Sequence, residues 1–223
     1  MNHARTAFLP IADSRCQRLP VGGRIKRYFD VLVTGFIVIV LAPVFILLSI
    51  ALKCTDKGPL LYKHPRIGRD GREFNCFKFR TMAVDSETRL KLLLDRDPHA
   101  RAEWAKDRKL KNDPRVTPFR LILRRFSADE LPQLINVLRG DMSLVGPRPV
   151  VTEELERYGD NVALYFLSRP GITGIWQVSG RSNCSYEHRV ALDAHYVRNW
   201  TFANDLLILL NTVGAVIGRK GAC

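Results

Sequence analysis

One uncharged run constrains this chain more than any other feature. Residues 31–52 read Val-Leu-Val-Thr-Gly-Phe-Ile-Val-Ile-Val-Leu-Ala-Pro-Val-Phe-Ile-Leu-Leu-Ser-Ile-Ala-Leu, 22 positions without a charge. As a helix the run is about 33 Å long, enough for a hydrocarbon core of about 30 Å. The chain must bury it in a bilayer or in its own core, and the length favours the bilayer. A cleaved signal peptide fits poorly, because its apolar region spans only roughly 7–15 residues. Pro43, at the middle, removes a backbone donor and breaks the hydrogen-bond ladder. Arg24, Lys26 and Arg27 precede the run, and Lys53, Lys57, Lys63, Arg66 and Arg69 follow it. The positive-inside rule assigns both flanks to the cytoplasm. A re-entrant helix bent at Ala42-Pro43, entering and leaving by one face, meets both observations; an ordinary kinked span has the same hydropathy and is the alternative.

Charge narrows the partners. Lys plus Arg number 35 against 22 Asp plus Glu, a net +13. That balance points to a polyanion: nucleic acid, an anionic membrane surface or phosphorylated substrates. The five cysteines (Cys16, Cys54, Cys76, Cys184, Cys223) are widely separated, with no C-x-x-C pair. They form neither a disulfide framework nor a zinc site, which suits a reducing compartment. The expected divisions are a mobile tail over residues 1–23, a membrane helix over 24–53, and a domain over 54–223.

Within that domain the densest chemistry is Ser127-Ala128-Asp129-Glu130-Leu131-Pro132-Gln133-Leu134. Ser127 and Glu130 have capping-box spacing, and Leu131, Leu134, Ile135 and Leu138 repeat as the buried face of a helix. Asp129 and Glu130 then fall in the first turn, where unpaired N–H groups favour carboxylates and phosphate alike. Pro132 leaves the register open, with Ser127 or Asp129 as N-cap. Two adjacent carboxylates at a helix start are most often caps; here Arg124 and Arg125 stand just before them.

Residues 60–82 read as two short strands about a turn at Gly68 to Gly71. Phe77 and Phe79 alternate with Lys78 and Arg80, which sends the two cations to one face, to meet a phosphate or solvent. Residues 84–108 read as two charged helices divided by Pro98, and residues 119–126 as a short helix. In the loop over residues 139–149, Pro147 and Pro149 hold Arg148 stiffly, for phosphate or for pairing with Asp141. The glycine-rich stretch over residues 168–181 has a strand-like centre; its Trp176, Gln177 and Arg181 contact a base or sugar, or pack. Tyr186 begins a helix, and residues 202–217 form an apolar one suited to an interface, a core or a second subunit, so a homodimer is compatible with it.

The segments Lys78-Phe79-Arg80-Thr81-Met82, Asp129-Glu130-Leu131-Pro132-Gln133-Leu134, Gly140-Asp141-Met142-Ser143 and Gly146-Pro147-Arg148-Pro149 occur in this order. In them the chain resembles the monotopic bacterial phosphoglycosyl transferases, from about Lys26 to its C-terminus. The resemblance implies a mainly α fold with small β-hairpin elements, a Pro-broken re-entrant membrane helix and a cytoplasmic catalytic domain on the bacterial inner membrane. It implies transfer of a hexose 1-phosphate, galactose or glucose, from a UDP-hexose to undecaprenyl phosphate in exopolysaccharide synthesis, with release of UMP. Asp129 would be the nucleophile, forming an aspartyl phosphosugar, with Glu130 as base or metal ligand and Mg²⁺ as cofactor held at Asp129 and Glu130. Lys78, Arg80, Arg124 and Arg148 would screen the phosphates, with Gln177 and Arg181 at the nucleotide or sugar. Ala42 replaces the usual serine before Pro43. A membrane-tethered, nonenzymatic anion-binding protein is the alternative, whereas no nucleic-acid reader motif is present.

Overall fold

The computed structural model describes residues 20–55, 58–81, 86–107, 110, 123, 127–179 and 185–217. The tail as far as residue 19, most of the helix expected over residues 119–126, Arg124, Arg125 and Arg181 lie outside them. The described chain is mostly helical, with two two-stranded sheets.

The uncharged run forms the middle of α1 (Gly23–Thr55), 33 residues long. At about 1.5 Å per residue it extends about 50 Å. It is long and apolar enough to cross a membrane. Pro43 lies inside α1 and does not divide it, so the secondary structure continues through Ala42-Pro43.

The helix has two unlike sides. Lys26, Asp30, Thr34 and Leu52 are buried on one of them. Phe29, Val33, Ile37, Val38 and Phe45 join that side against the main core, and Phe45 and Leu48 against a smaller one. On the other side Ile25, Tyr28, Leu32, Phe36, Ile39, Ile46 and Ile50 are 56–75% exposed. Their spacing of three, four or seven makes one apolar stripe. The rest of the protein therefore lies alongside α1 over most of its length.

Polar fasteners fix that docking. Lys26 Nζ stands 2.6 Å from Asp205 Oδ2, both buried. Tyr196 and Trp200 also donate to Asp205, at 2.8 and 3.0 Å. Asp30 accepts from the Ser143 hydroxyl at 2.7 Å and the Leu144 N–H at 3.2 Å. Buried charges are tolerable only when paired and hydrogen-bonded in this way.

Strands β1 (Leu61–Ile67) and β2 (Glu73–Phe79) form the expected antiparallel hairpin. Helices α2 (Ser86–Arg96) and α3 (Pro98–Asp107) follow, separated at Pro98. Then come α4 (Gln133–Arg139), β3 (Ser143–Val145), α5 (Thr152–Leu155), α6 (Val162–Phe166), β4 (Gly171–Thr173), α7 (Ile175–Val178), α8 (Tyr186–Arg198) and α9 (Phe202–Ile217). Cys76 of β2, Leu134 and Val137 of α4, Leu144 and Val145 of β3, Tyr196 and Val197 of α8 and Ile208 of α9 form the core under α1.

Two expectations about α4 need correction. Ser127 does not cap it: its backbone is left-handed, with φ 53°, and its side chain makes no cap hydrogen bond. Residues 128–130 instead form a 3-10 turn, with Glu130 N–H bonded to Ser127 O and Leu131 N–H to Ala128 O. Pro132 has no N–H for the α-ladder, so the helix begins only after it. The buried face also differs: Gln133, Leu134, Asn136 and Val137 point inward, while Ile135 and Leu138 are exposed. The cause is Asn136, whose amide bonds to the hairpin and turns that side of the helix inward.

Candidate functional site

The site is assembled where the 3-10 turn meets β2. Lys78 Nζ lies 2.5 Å from Glu130 Oε1, with both side chains part-exposed. Asp129 is half-buried on the same turn. Beneath, Ala128 and Leu131 join one apolar cluster with Phe45, Leu48 and Leu52 of α1 and Phe79 of β2. The alternation along β2 works as expected: Phe77 and Phe79 are buried, and Lys78 points the other way.

Asn136 locks the two elements in register. It accepts from Phe77 N–H at 2.9 Å and donates to Asn75 O at 2.8 Å, bracketing Cys76 on the strand just before Lys78. It also donates to Asp141 at 3.1 Å. The far end of α4 is closed by two guanidiniums: Arg27 of α1 donates to Val137 O and Leu138 O, and Arg169 to Gly140 O. These satisfy helix-end carbonyls that otherwise lack donors.

Four charged side chains act electrostatically on the buried Cys76 thiol. Burial pushes its pKa up to about 11, with Lys78, Arg66 and Arg148 pulling down and Glu130 pushing up. The thiol is therefore protonated at neutral pH, and Lys78, Glu130, Arg66 and Arg148 share one neighbourhood. Arg66 on β1 donates to Pro149 O at 3.1 Å and lies 3.5 Å from Glu154. It also donates to His64 Nδ1 at 3.1 Å; burial, then Arg66 and Lys78, lower the His64 pKa, consistent with a neutral acceptor.

Arg148 is carried on a loop fixed from two sides. The parallel pairing of β3 with β4 presses Gly146 against Gly171, and a Cβ on either would enter the other's surroundings. From α8, buried Asp193 accepts from the Tyr158 hydroxyl at 2.7 Å and from the Arg148 N–H. Burial raises its pKa to about 7, against the lowering by Tyr158 and the nearby guanidiniums. The Arg148 guanidinium lies over Trp176, 5.5 Å from the ring centre. The pairing of Arg148 with Asp141 is not formed: Asp141 faces Arg139 at 3.7 Å.

Of the expected site residues, Lys78 and Glu130 are in direct contact, Asp129 shares the turn of Glu130, and Arg148 joins them around Cys76. Arg80 follows β2 directly, with its guanidinium packed on Gly58. Gln177 sits on α7 beside Trp176, half-buried. Arg66, Asn136, Glu154, Arg189 and Asp193 went unread. Asn136 alone left a trace, as an amide within an apolar helix; the others matter through partners distant in sequence.

No group of three or more His, Cys, Asp or Glu side chains suited to a metal occurs among the described residues. Two carboxylates suffice for Mg²⁺ held jointly with substrate phosphates, since such sites need one or two carboxylates and hard oxygen donors. Asp129 and Glu130 fit that requirement.

The profile of the bacterial sugar transferase family matches residues 21–219. A Haemophilus influenzae protein named an uncharacterized sugar transferase is 55% identical over 198 residues, 89% of this chain and 42% of the relative. The undecaprenyl-phosphate galactose phosphotransferase of Salmonella typhimurium is 52% identical over 198 residues, 89% of this chain and 41% of its own length. The exopolysaccharide production protein ExoY of Sinorhizobium fredii is 47% identical over 219 residues, covering 98% of this chain and 96% of the relative. This chain thus spans about two-fifths of the first two relatives and nearly all of the third. Matched over most of its described length, the chain belongs to the bacterial sugar transferase family.

Proposed function

We propose that this protein transfers a hexose 1-phosphate from a UDP-hexose to undecaprenyl phosphate, releasing UMP, at the cytoplasmic face of a bacterial inner membrane. The observation that carries the proposal is the seat of the dyad: the turn bearing Asp129 and Glu130 joins the apolar cluster that includes Leu52 of α1, and it pairs with Lys78. A reaction between a soluble nucleotide sugar and a lipid phosphate needs its nucleophile at that boundary. The names of the Salmonella and Sinorhizobium relatives support a lipid carrier and exopolysaccharide synthesis.

In the proposed mechanism an Asp129 carboxylate oxygen attacks the phosphorus that bears the sugar. A P–O bond forms to Asp129 as the P–O bond to UMP breaks, and UMP leaves with its electron pair. A phosphate oxygen of the lipid then attacks the same phosphorus, forming the lipid diphosphate sugar and returning Asp129 as a carboxylate. An anion attacked by a carboxylate must first be screened, and Lys78, with Arg148 nearby, supplies fixed positive charge. Lys78 also orients Glu130 beside the nucleophile through their ion pair. Bound Mg²⁺, held by Asp129 and Glu130 with the substrate phosphates, would neutralise the diphosphate. The stripe on α1 faces lipid, and the docking of its other side on two apolar clusters of the protein favours a helix that keeps both ends on one side.

The test is UMP release by purified protein in detergent with Mg²⁺ and UDP-galactose or UDP-glucose, with and without undecaprenyl phosphate. Asp129→Asn should lower turnover at least about a thousandfold, as for loss of a covalent nucleophile. Normal turnover in the variant would sink the nucleophile assignment, and no UMP from a panel of UDP-sugars would sink the reaction.

A further inference from the structure

Three buried donors without acceptors surround one ring where the loop over residues 146–149, α7 and α8 meet. Trp176 Nε1, Arg148 Nε and Arg189 Nε have no hydrogen-bond partner among the described residues. Trp176 is only 9% exposed. The Arg148 and Arg189 guanidiniums lie 5.5 and 5.3 Å from the centre of its ring. An unpaired buried N–H is unfavourable, and two cations at one ring repel each other, so packing alone does not explain the cluster.

The cluster is nevertheless held firmly. Glu154 stands 3.4 Å from Arg189 and 3.5 Å from Arg66, and its carboxylate accepts from the Val151 N–H. The Arg189 guanidinium is stacked on Tyr186, 4.0 Å from the ring centre. Asp193 ties the Arg148 backbone to α8. The two arginines are thereby held in place while one buried N–H of each is left unpaired.

All three orphans are donors, so the missing partner is an acceptor; two are cationic, so it is an anion. Two guanidiniums suit a diphosphate, and the indole offers a flat apolar surface with one N–H. Trp176 joins neither apolar cluster lined by α1, where a lipid tail would arrive. We propose that Trp176 and Arg189, with Arg148, form the subsite for the nucleoside diphosphate half of the sugar donor. This inference rests on the reading of the protein as a UDP-sugar transferase. It makes Trp176 and Arg189 donor-binding residues, apart from the apolar cluster of Phe45, Leu48 and Leu52 on α1.

The probe is UDP, added to full-length protein in detergent and followed by the Trp176 indole N–H resonance of the unmodified chain. The resonance should shift at saturation; no shift overturns the subsite. Trp176→Phe keeps the ring and Arg189→Lys the charge, so both should melt near the wild-type temperature. Each should weaken UDP binding and raise KM for the UDP-hexose roughly tenfold, with KM for undecaprenyl phosphate unchanged. An unchanged KM for the donor, or a rise confined to the lipid, overturns the inference. If wild-type protein releases no UMP from any UDP-hexose, the transferase reading fails by itself, and UDP binding still decides whether the subsite exists.

Discussion

By accepting from Phe77 N–H and donating to Asn75 O, Asn136 fixes how far Lys78 stands from Glu130. Asn136→Ala would leave both backbone groups buried and unpaired. We expect a loss of about 2–3 kcal/mol of stability, measured by denaturant unfolding in detergent. Asp193 makes a different prediction. Its pKa rises from 3.8 to about 7 on folding, so between those values the folded state holds a proton that the unfolded chain has released. That contribution is complete below about pH 4 and is lost as pH rises through about 7. Asn at this position accepts the same two hydrogen bonds without titrating. The melting temperature of the wild type minus that of Asp193→Asn should therefore fall between pH 5 and pH 8; a constant difference would contradict the raised pKa.

Elements were legible wherever one local pattern dominated. Alternation over β2 gave the hairpin and the side of Lys78, and the apolar repeat gave α9. At α4, two local signals competed: the Ser127-Glu130 spacing argued for a cap, but Pro132 could not extend the ladder and delayed the helix. The inward face of α4 depended on Asn136 reaching a strand about sixty positions earlier, which periodicity does not encode. The partners of Arg148 were hidden for the same reason, since Trp176 and Asp193 come close only through the β3–β4 pairing. For α1 the periodic exposure is informative about placement. Under the proposed re-entrant geometry, impermeant labelling of single cysteines placed just before Arg24 and just after Leu52 should find both on the cytoplasmic side; opposite sides would mean a span. Lys26→Met should cost about 3–5 kcal/mol by stranding Asp205, because removing one member of a buried pair leaves its partner uncompensated.

At the scale of the molecule, an excess of thirteen positive charges and an apolar stripe act on one membrane through forces with different salt dependence. Ion attraction is screened within about 3 Å at 1 M salt, whereas burial of apolar surface persists. Salt at that strength should therefore leave the protein in the membrane pellet, and its release would mean that charge alone holds it. Net charge was readable from composition; which side of α1 meets lipid was not, because both sides are apolar over the central run.

The docking of α1 also limits how such a protein can change over generations. Its inner side supplies Asp30 to Ser143 and Leu144, and Phe45, Leu48 and Leu52 to the apolar cluster that the dyad's turn joins. The anchor is consequently not a cassette that recombination can exchange for another hydrophobic segment. New modules can be joined ahead of it, but every substitution on its inner side is judged first by the fold it completes. Anchor and catalytic body must drift together, as two halves of one inherited surface.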